Sequence, residues 1–401
     1  MNINKHKGTK TARNIAAKRY LQAMKTTLTI MIMVVISSCH SQTKIQMDEI
    51  DKLLKEQVES NNTPSIQYLY FDQDSVIKSF KMGFADIAKK KEVDSSITYN
   101  AFSVTKTFTA LAILQLYEKR KIDINKPVNQ YFPEFSYGKE ITVKQLLNHT
   151  AGIPNPIPLN WIHLDSEHST FDRNSFFKSI FKKNTKTKSE PNEKFAYSNL
   201  GYVVLGQLIE NVSGKTYEEY ITENIVRKLP INPNNLTFEI ISNERHAKGY
   251  HKKMSFSNLI LGFMIDKSKF MGDTEGKWRS FNNFYVNGAS YGGLIGTPMA
   301  FVAYLQELLK TESILISDEY KRMLFQENKT NRGKNTGMCL SWFTGELNGK
   351  KYFAHAGGGG GYYCEIRIYP EINKGSVVFF NRTGMSDERF LDKLDKYLIN
   401  E

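Results

Sequence analysis

Ser103 and Lys106 stand three residues apart, a spacing that puts two side chains on one face of a helix. A serine hydroxyl is a poor nucleophile until a neighbouring base takes its proton. A lysine in a dry site can be that base, because burial lowers its pKa and leaves the amine neutral. Tyr197 and Asn199 form a second pair, spaced by two. In an extended segment such a pair faces one side. A phenol can relay a proton to a leaving group, and an asparagine offers a donor and an acceptor to a substrate amide. His355 begins a third group, His355-Ala356-Gly357-Gly358, whose glycines continue to Gly361. Glycine at a strand edge admits a ligand close to the backbone.

Spacing alone does not single out Ser103, since Ser-x-x-Lys recurs elsewhere, at Ser41/Lys44, Ser75/Lys78, Ser175/Lys178 and Ser179/Lys182 among others. Its setting does. From Phe102 to Tyr117 the apolar residues Val104, Phe108, Ala110, Leu111, Ala112, Ile113, Leu114 and Leu116 cover nearly the whole helical circumference. A helix apolar all round belongs in a core. Ser103 and Lys106 lie at its start, where unpaired N–H groups and the dipole favour developing negative charge. Ser175 and Ser179 sit instead in a Lys-studded amphipathic stretch, Ser75 in a hairpin and Ser41 in a polar tether.

The elements around these groups follow from pattern. An amphipathic helix is predicted near Met47 to Glu59, and a hairpin from the β-rich runs Ile66–Phe71 and Ser75–Phe80 about Asp72-Gln73-Asp74. Helices are predicted over Tyr202–Val212 and Tyr217–Arg227 and after Pro298. Strand-like runs follow at Met338–Leu347, Lys351–Ala354, Tyr362–Tyr369 and Ser376–Asn381. Residues 250–287 are aromatic- and Met-rich and carry no clear boundaries.

Taken in order, Ser103-x-x-Lys106, Tyr197-x-Asn199 and His355-x-Gly357 resemble the class C β-lactamase and D,D-peptidase-type serine hydrolases. Flanking segments share the resemblance. Leu146-Leu147-Asn148-His149-Thr150-Ala151-Gly152-Ile153-Pro154 is similar to the family's LLxHTSG segment, and Tyr197-Ser198-Asn199-Leu200-Gly201-Tyr202 to its YSNxGY. Gly292-Gly293-Leu294 with Thr297 is similar to GGLxST. The likeness covers about residues 50–398.

The resemblance implies an α/β (α+β) fold: an antiparallel sheet flanked by helices, built from both chain ends, with a mostly helical insertion. It implies Ser103 as the nucleophile that forms an acyl-enzyme, and Lys106 as its base with Tyr197 as partner; which of the two acts first stays open. It implies an oxyanion hole made by the N–H groups of Ser103 and Gly358, and substrate binding by Asn199, His355 and Gly357. His149 is read as structural. No metal or organic cofactor is implied. The departure is His355, where β-lactamases and transpeptidases carry Lys-Thr-Gly. Histidine has an ordinary pKa of about 6.5 and is mostly neutral at pH 7. It cannot clamp a carboxylate as a lysine does, which favours esters, amides or other peptides over penicillins or D-Ala-D-Ala ends.

Composition agrees with an ordinary globular protein. The chain has 401 residues, 40% hydrophobic and 24% charged, with a formal net charge of +13. Residues 1–38 hold seven Lys or Arg and no acid, so residues 39–401 carry 47 minus 41, or +6. No nucleic-acid motif accompanies the charge, and no nucleic-acid partner is expected. Lys25 precedes the apolar run Leu28–Ile36, which is too short to span a bilayer but suits a signal peptide. Ile36-Ser37-Ser38-Cys39 resembles the lipobox of bacterial lipoproteins, which implies lipidation of Cys39 and a membrane partner through that anchor. Met24-Lys25 would be a natural start, leaving residues 1–23 as an extension. Cys339 and Cys364 fall in strand-like segments and read as buried free thiols.

The expected organisation is therefore an extension plus signal peptide (1–38), a lipidated tether (39–46), an α/β domain (47–125 and 288–401) and a helical domain (126–287). The expected function is an exported, lipid-anchored serine hydrolase acting on a small-molecule or peptide substrate with an acyl bond. A β-lactamase or D,D-carboxypeptidase is one alternative. A catalytically silent relative that binds peptidoglycan or acts as a sensor is the other. Oligomeric state is left open.

Overall fold

A computed structural model describes residues 24–25, 47–156, 160–253, 266–383 and 389–399. Cys39, the apolar run before it and the tether after it lie outside the described residues. The chain divides into two compact units, Met1–Leu53 and Leu54–Glu401. Residues 47–59 are helical (α1), and the second unit holds everything below.

Its main sheet has seven antiparallel strands. The hairpin predicted about Asp72 forms from β1 (Ser65–Asp72) and β2 (Val76–Asp86), with Ile66 opposite Met82. Beside β2 lies β3 (Lys91–Glu92). The other edge comes from β12 (Phe343–Leu347), β13 (Lys350–Gly359), β14 (Tyr362–Tyr369) and β15 (Lys374–Phe380). Spatial order is β12-β13-β14-β15-β1-β2-β3. The first strand therefore pairs with the last, Leu69 opposite Val377. Their β-branched and aromatic residues suit this double-sided burial, and every residue of β14 is buried.

The central helix is α2 (Thr105–Glu118), whose residues from Thr105 to Leu116 are all buried. Gly and Pro are absent from it, and Ala, Leu and Gln supply helix propensity. A short 3-10 turn, Phe102–Val104, precedes it. Ser103 thus sits in that turn rather than in the α-helix proper. Helices α3 (Val143–Leu147) and α5 (Asn199–Ser213) pack together, and α5 also packs on α2. Between them in sequence is α4 (Arg173–Lys183), capped by the Asp172 carboxylate accepting from the Ser175 N–H at 3.0 Å. Helix α6 (Tyr217–Asn224) follows, with a capping box at Thr216 and Glu219.

The stretch 250–287 left unassigned by pattern supplies small strands. A three-stranded sheet runs β7-β9-β8, from Tyr250–Lys252, Trp278–Phe281 and Met271–Glu275. Strand β10 (Phe284–Val286) pairs with β5 (Ile162–Leu164). A further sheet joins β4 (Tyr99–Asn100), β11 (Ile295–Gly296) and β6 (Leu236–Thr237). The short helix α7 (Ala289–Gly292) packs on α2 and α5, and α8 (Pro298–Leu309) packs on β1 and β15. Cys339 and Cys364 are buried free thiols.

Candidate active site

Ser103 sits at the junction of the 3-10 turn and α2. The residue before it, Phe102, has φ of +44°, a left-handed conformation that costs a non-glycine residue about 1–3 kcal/mol. Packing holds the turn in place. The Ala101 N–H donates to the Leu294 carbonyl at 2.8 Å, and Phe102 lies against Phe284 and Tyr362 at 6.3 Å between ring centroids.

The Ser103 hydroxyl lies between two groups. Lys106 Nζ is 3.0 Å from Ser103 Oγ, and the Tyr197 hydroxyl is 2.9 Å from the same oxygen. Lys106 is 0% exposed. Its Nζ donates to the Tyr291 carbonyl at 2.8 Å and lies 5.0–5.5 Å from the ring centres of Tyr197, Tyr202 and Tyr291. Among the described residues no carboxylate forms an ion pair with it. Burial without a counter-charge holds the Lys106 ammonium well below its ordinary pKa. Burial thus favours the neutral amine, whose free electron pair a base must offer.

Tyr197 is positioned by His149. The His149 carbonyl accepts from the Ala196 N–H at 2.8 Å, and its Nδ1 accepts from the Ser198 N–H at 3.1 Å. The imidazole packs between Tyr197 (4.3 Å between centroids) and Tyr202 (5.0 Å). Because Nδ1 accepts, the ring proton is on Nε2. Burial, with Lys106 nearby, holds His149 neutral well below the ordinary histidine range. The structural reading of His149 thus becomes specific: it clamps the backbone on both sides of Tyr197.

Asn199 differs from the pattern-based expectation. It is the first residue of α5, and Ser198 is the N-cap, its Oγ accepting from the Gly201 N–H at 3.0 Å. Tyr197 and Asn199 are therefore not alternate positions of one extended segment. The Asn199 N–H donates to Asn155 Oδ1 at 3.0 Å, while its own Oδ1 is buried with no hydrogen-bond partner. Asn155 and Tyr291 carry no pattern of their own in sequence; only the fold brings them to the site.

His355 does not end a strand. Strand β13 runs on through Gly359, with Gly357 opposite Cys364, and the turn falls at Gly360 and Gly361, whose φ values are +44° and +95°. A Cβ on Gly357 would meet the Ala101 carbonyl oxygen at 2.1 Å and the Ser103 nitrogen at 3.1 Å. Glycine here lets β13 lie directly against the backbone that carries Ser103. Gly358 is exposed beside it. The His355 ring is buried against Phe343, and its Nδ1–H donates to the Ala356 carbonyl at 2.7 Å. Burial, with Lys106 nearby, pushes its pKa down to about 3. His355 is a neutral side chain across the whole working range of pH.

A serine between a buried neutral lysine and a phenol, on this mixed α/β fold, defines the class: a penicillin-binding-protein-like serine hydrolase. The chain belongs to the Beta-lactamase family, whose profile matches residues 50–399. It is 25% identical over 373 residues to Protein flp of Staphylococcus aureus, covering 89% of this chain and 68% of that one. It is 24% identical over 311 residues to Penicillin-binding protein 4* of Bacillus subtilis, covering 77% and 66%. In fold it is similar to the D-amino acid amidase of Ochrobactrum anthropi, with a TM-score of 0.71 at 17% identity over 88% of this chain and 98% of that one. The octameric penicillin-binding protein homologue of Pyrococcus abyssi shares the fold at a TM-score of 0.70 and 22% identity, over 87% and 76%.

Proposed function

We infer that the protein is an exported, lipid-anchored serine hydrolase that works through an acyl-enzyme on Ser103. The observation that carries this is the placement of Ser103 Oγ 3.0 Å from a fully buried Lys106 and 2.9 Å from the Tyr197 hydroxyl. The neutral Lys106 amine takes the Ser103 proton as Oγ bonds to the substrate carbonyl carbon. The resulting oxyanion is held by the N–H groups of Ser103 and Gly358, each such donor being worth about 3–4 kcal/mol to the transition state. Tyr197 passes a proton to the leaving oxygen or nitrogen as its bond to the acyl carbon breaks. Water then attacks the acyl carbon, and its proton returns through the same pair to Ser103. Asn199 orients the bound acyl group.

Strand β13 supplies the cleft edge. The β12 ladder ends with Phe343 opposite Ala354, whereas β13 continues to pair with β14 as far as Gly359. An extended substrate can hydrogen-bond along the edge this leaves. Because His355 is neutral and its Nδ1–H is already engaged, that edge has no histidine cation for a carboxylate. Esters, amides and peptides without a free carboxylate at that point are the favoured substrates. Export and attachment to a bacterial membrane follow from the leader and Cys39.

Labelling purified protein with a fluorophosphonate and with a fluorescent penicillin tests this reading, with Ser103→Ala as the control. Fluorophosphonate labelling lost in Ser103→Ala, with weak or absent penicillin labelling, is the expected result. Efficient penicillin labelling would move the substrate to β-lactams or cell-wall peptides. Labelling by neither probe would favour a silent binding relative.

A further inference from the structure

Helix α4 carries a feature that hydrolysis at Ser103 does not use. Residues 173–189 hold Arg173, Lys178, Lys182, Lys183, Lys186 and Lys188 and no acid. Their six charges equal the whole formal excess of residues 39–401. The five lysines are exposed, and among the described residues none of their ammonium groups forms an ion pair. Arg173 is different, being held by Glu218 at 2.9 Å and Glu210 at 3.9 Å. On the other side of α4, Phe177 is buried and Phe176, Ile180 and Phe181 are partly buried.

Lys178 and Lys182 also line an open cavity of about 600 Å³ between α4, α5 and the segment 132–137, walled by Phe132, Phe135, Phe181 and Val204 with the amides of Gln207 and Asn211 among them. Glu210 on its wall is taken up by Arg173 and by the Tyr217 N–H at 3.1 Å, and Glu134 stands at its exposed edge. A cavity of this size suits a small apolar group. Lysines alone would fit any polyanion. Lysines bordering a partly apolar cavity fit a molecule with an anionic head and an apolar chain.

We propose that α4 and the lysine run behind it form a docking surface for the anionic headgroups of a lipid bilayer, with the adjoining cavity receiving an acyl chain. Placement at a membrane rests on the reading of Cys39 as a lipid anchor; the surface itself rests on α4. Each basic residue near an anionic bilayer strengthens attachment, and salt weakens it within a Debye length.

The test uses the full chain carrying Cys39→Ala, so that no lipid anchor contributes. Co-sedimentation is measured with phosphatidylcholine vesicles and with vesicles containing phosphatidylglycerol. A parallel preparation carries Lys178→Glu, Lys182→Glu, Lys183→Glu and Lys186→Glu as well. Partitioning should be at least about tenfold stronger on the anionic vesicles and should fall with salt. The four-fold variant should bind the anionic vesicles at least about tenfold more weakly than its parent while hydrolysing a soluble ester at the parent rate, which shows that it is folded. The basic, apolar leader acts equally in both preparations, so the surface is read from the difference between them. Equal partitioning on the two vesicle types, or the same preference in parent and variant, would overturn the proposal. So would equally tight binding of an oligonucleotide at the same salt. None of these outcomes bears on acylation of Ser103.

Discussion

A lysine with no carboxylate partner among the described residues, enclosed by Tyr197, Tyr202 and Tyr291, is costly to protonate and useful as a free amine. The sign of its effect on stability follows from linkage. Lys106 has a lowered pKa when folded and an ordinary one, about 10.4, when unfolded. Between those values the unfolded chain holds the extra proton, so this group opposes folding more as pH falls. Lys106→Met should therefore cut turnover by at least about 1,000-fold, following the scale of general-base removal, while raising the melting temperature at pH 7 by about 2 °C or more. That gain should shrink towards pH 10, as thermal denaturation across pH will show. The neighbouring histidines give a second check. His149 and His355 are both held neutral by burial, His355 down to about 3. The His355 ring-proton NMR signals should not titrate between pH 5 and 8. Titration of His355 near pH 6.5 would restore it as a cationic substrate contact.

At the scale of elements, function depends on how closely β13 approaches the turn before α2. Gly357 permits that approach, since any Cβ would strike the Ala101 carbonyl. Gly357→Ala should push the strand away from Ser103 and lower kcat by about 100-fold, as a misplaced oxyanion donor does, with KM and far-UV circular dichroism little changed. Much of this layer was legible in the sequence. Apolar residues on every side of 104–116 marked α2 as a core helix, and β-rich runs marked both halves of the sheet. What pattern misplaced has local causes. Ser198 takes the N-cap because its hydroxyl reaches the Gly201 N–H, which draws Asn199 into α5. Glycines 357–359 stay in β13 because pairing with residues 362–364 holds them extended despite their low strand propensity. The contacts of Asn155 and Tyr291 are made through a backbone carbonyl and across distant segments, which leave no trace in spacing.

Over the whole molecule, the site is held because residues 65–92 and 343–380 meet in one sheet. Strand β15 lies between β14 and β1, so the last strand is central. On β14, Arg367 is fully buried and joins Glu365 (2.7 Å), Asp392 (2.6 Å) and Asp395 (3.8 Å), while Asp395 also accepts from Tyr369 (2.9 Å) and Ser376 (2.7 Å). This network ties the C-terminal segment to the sheet. Removing only its cation strands two buried carboxyls, and such losses run to about 3–5 kcal/mol. Arg367→Leu should lower unfolding free energy by that amount in urea titrations, with the deficit easing at low pH as the carboxyls protonate. The residual enzyme that remains folded should keep its kcat, because the network makes no contact with Ser103.

The most direct measurement is the mass of the enzyme quenched in acid during turnover of an activated ester. Intact protein should gain the mass of the acyl group, and digestion should place it on the peptide containing Ser103, with no gain in Ser103→Ala. Turnover without any adduct in the wild type, or an adduct that persists in Ser103→Ala, would contradict acyl transfer through Ser103.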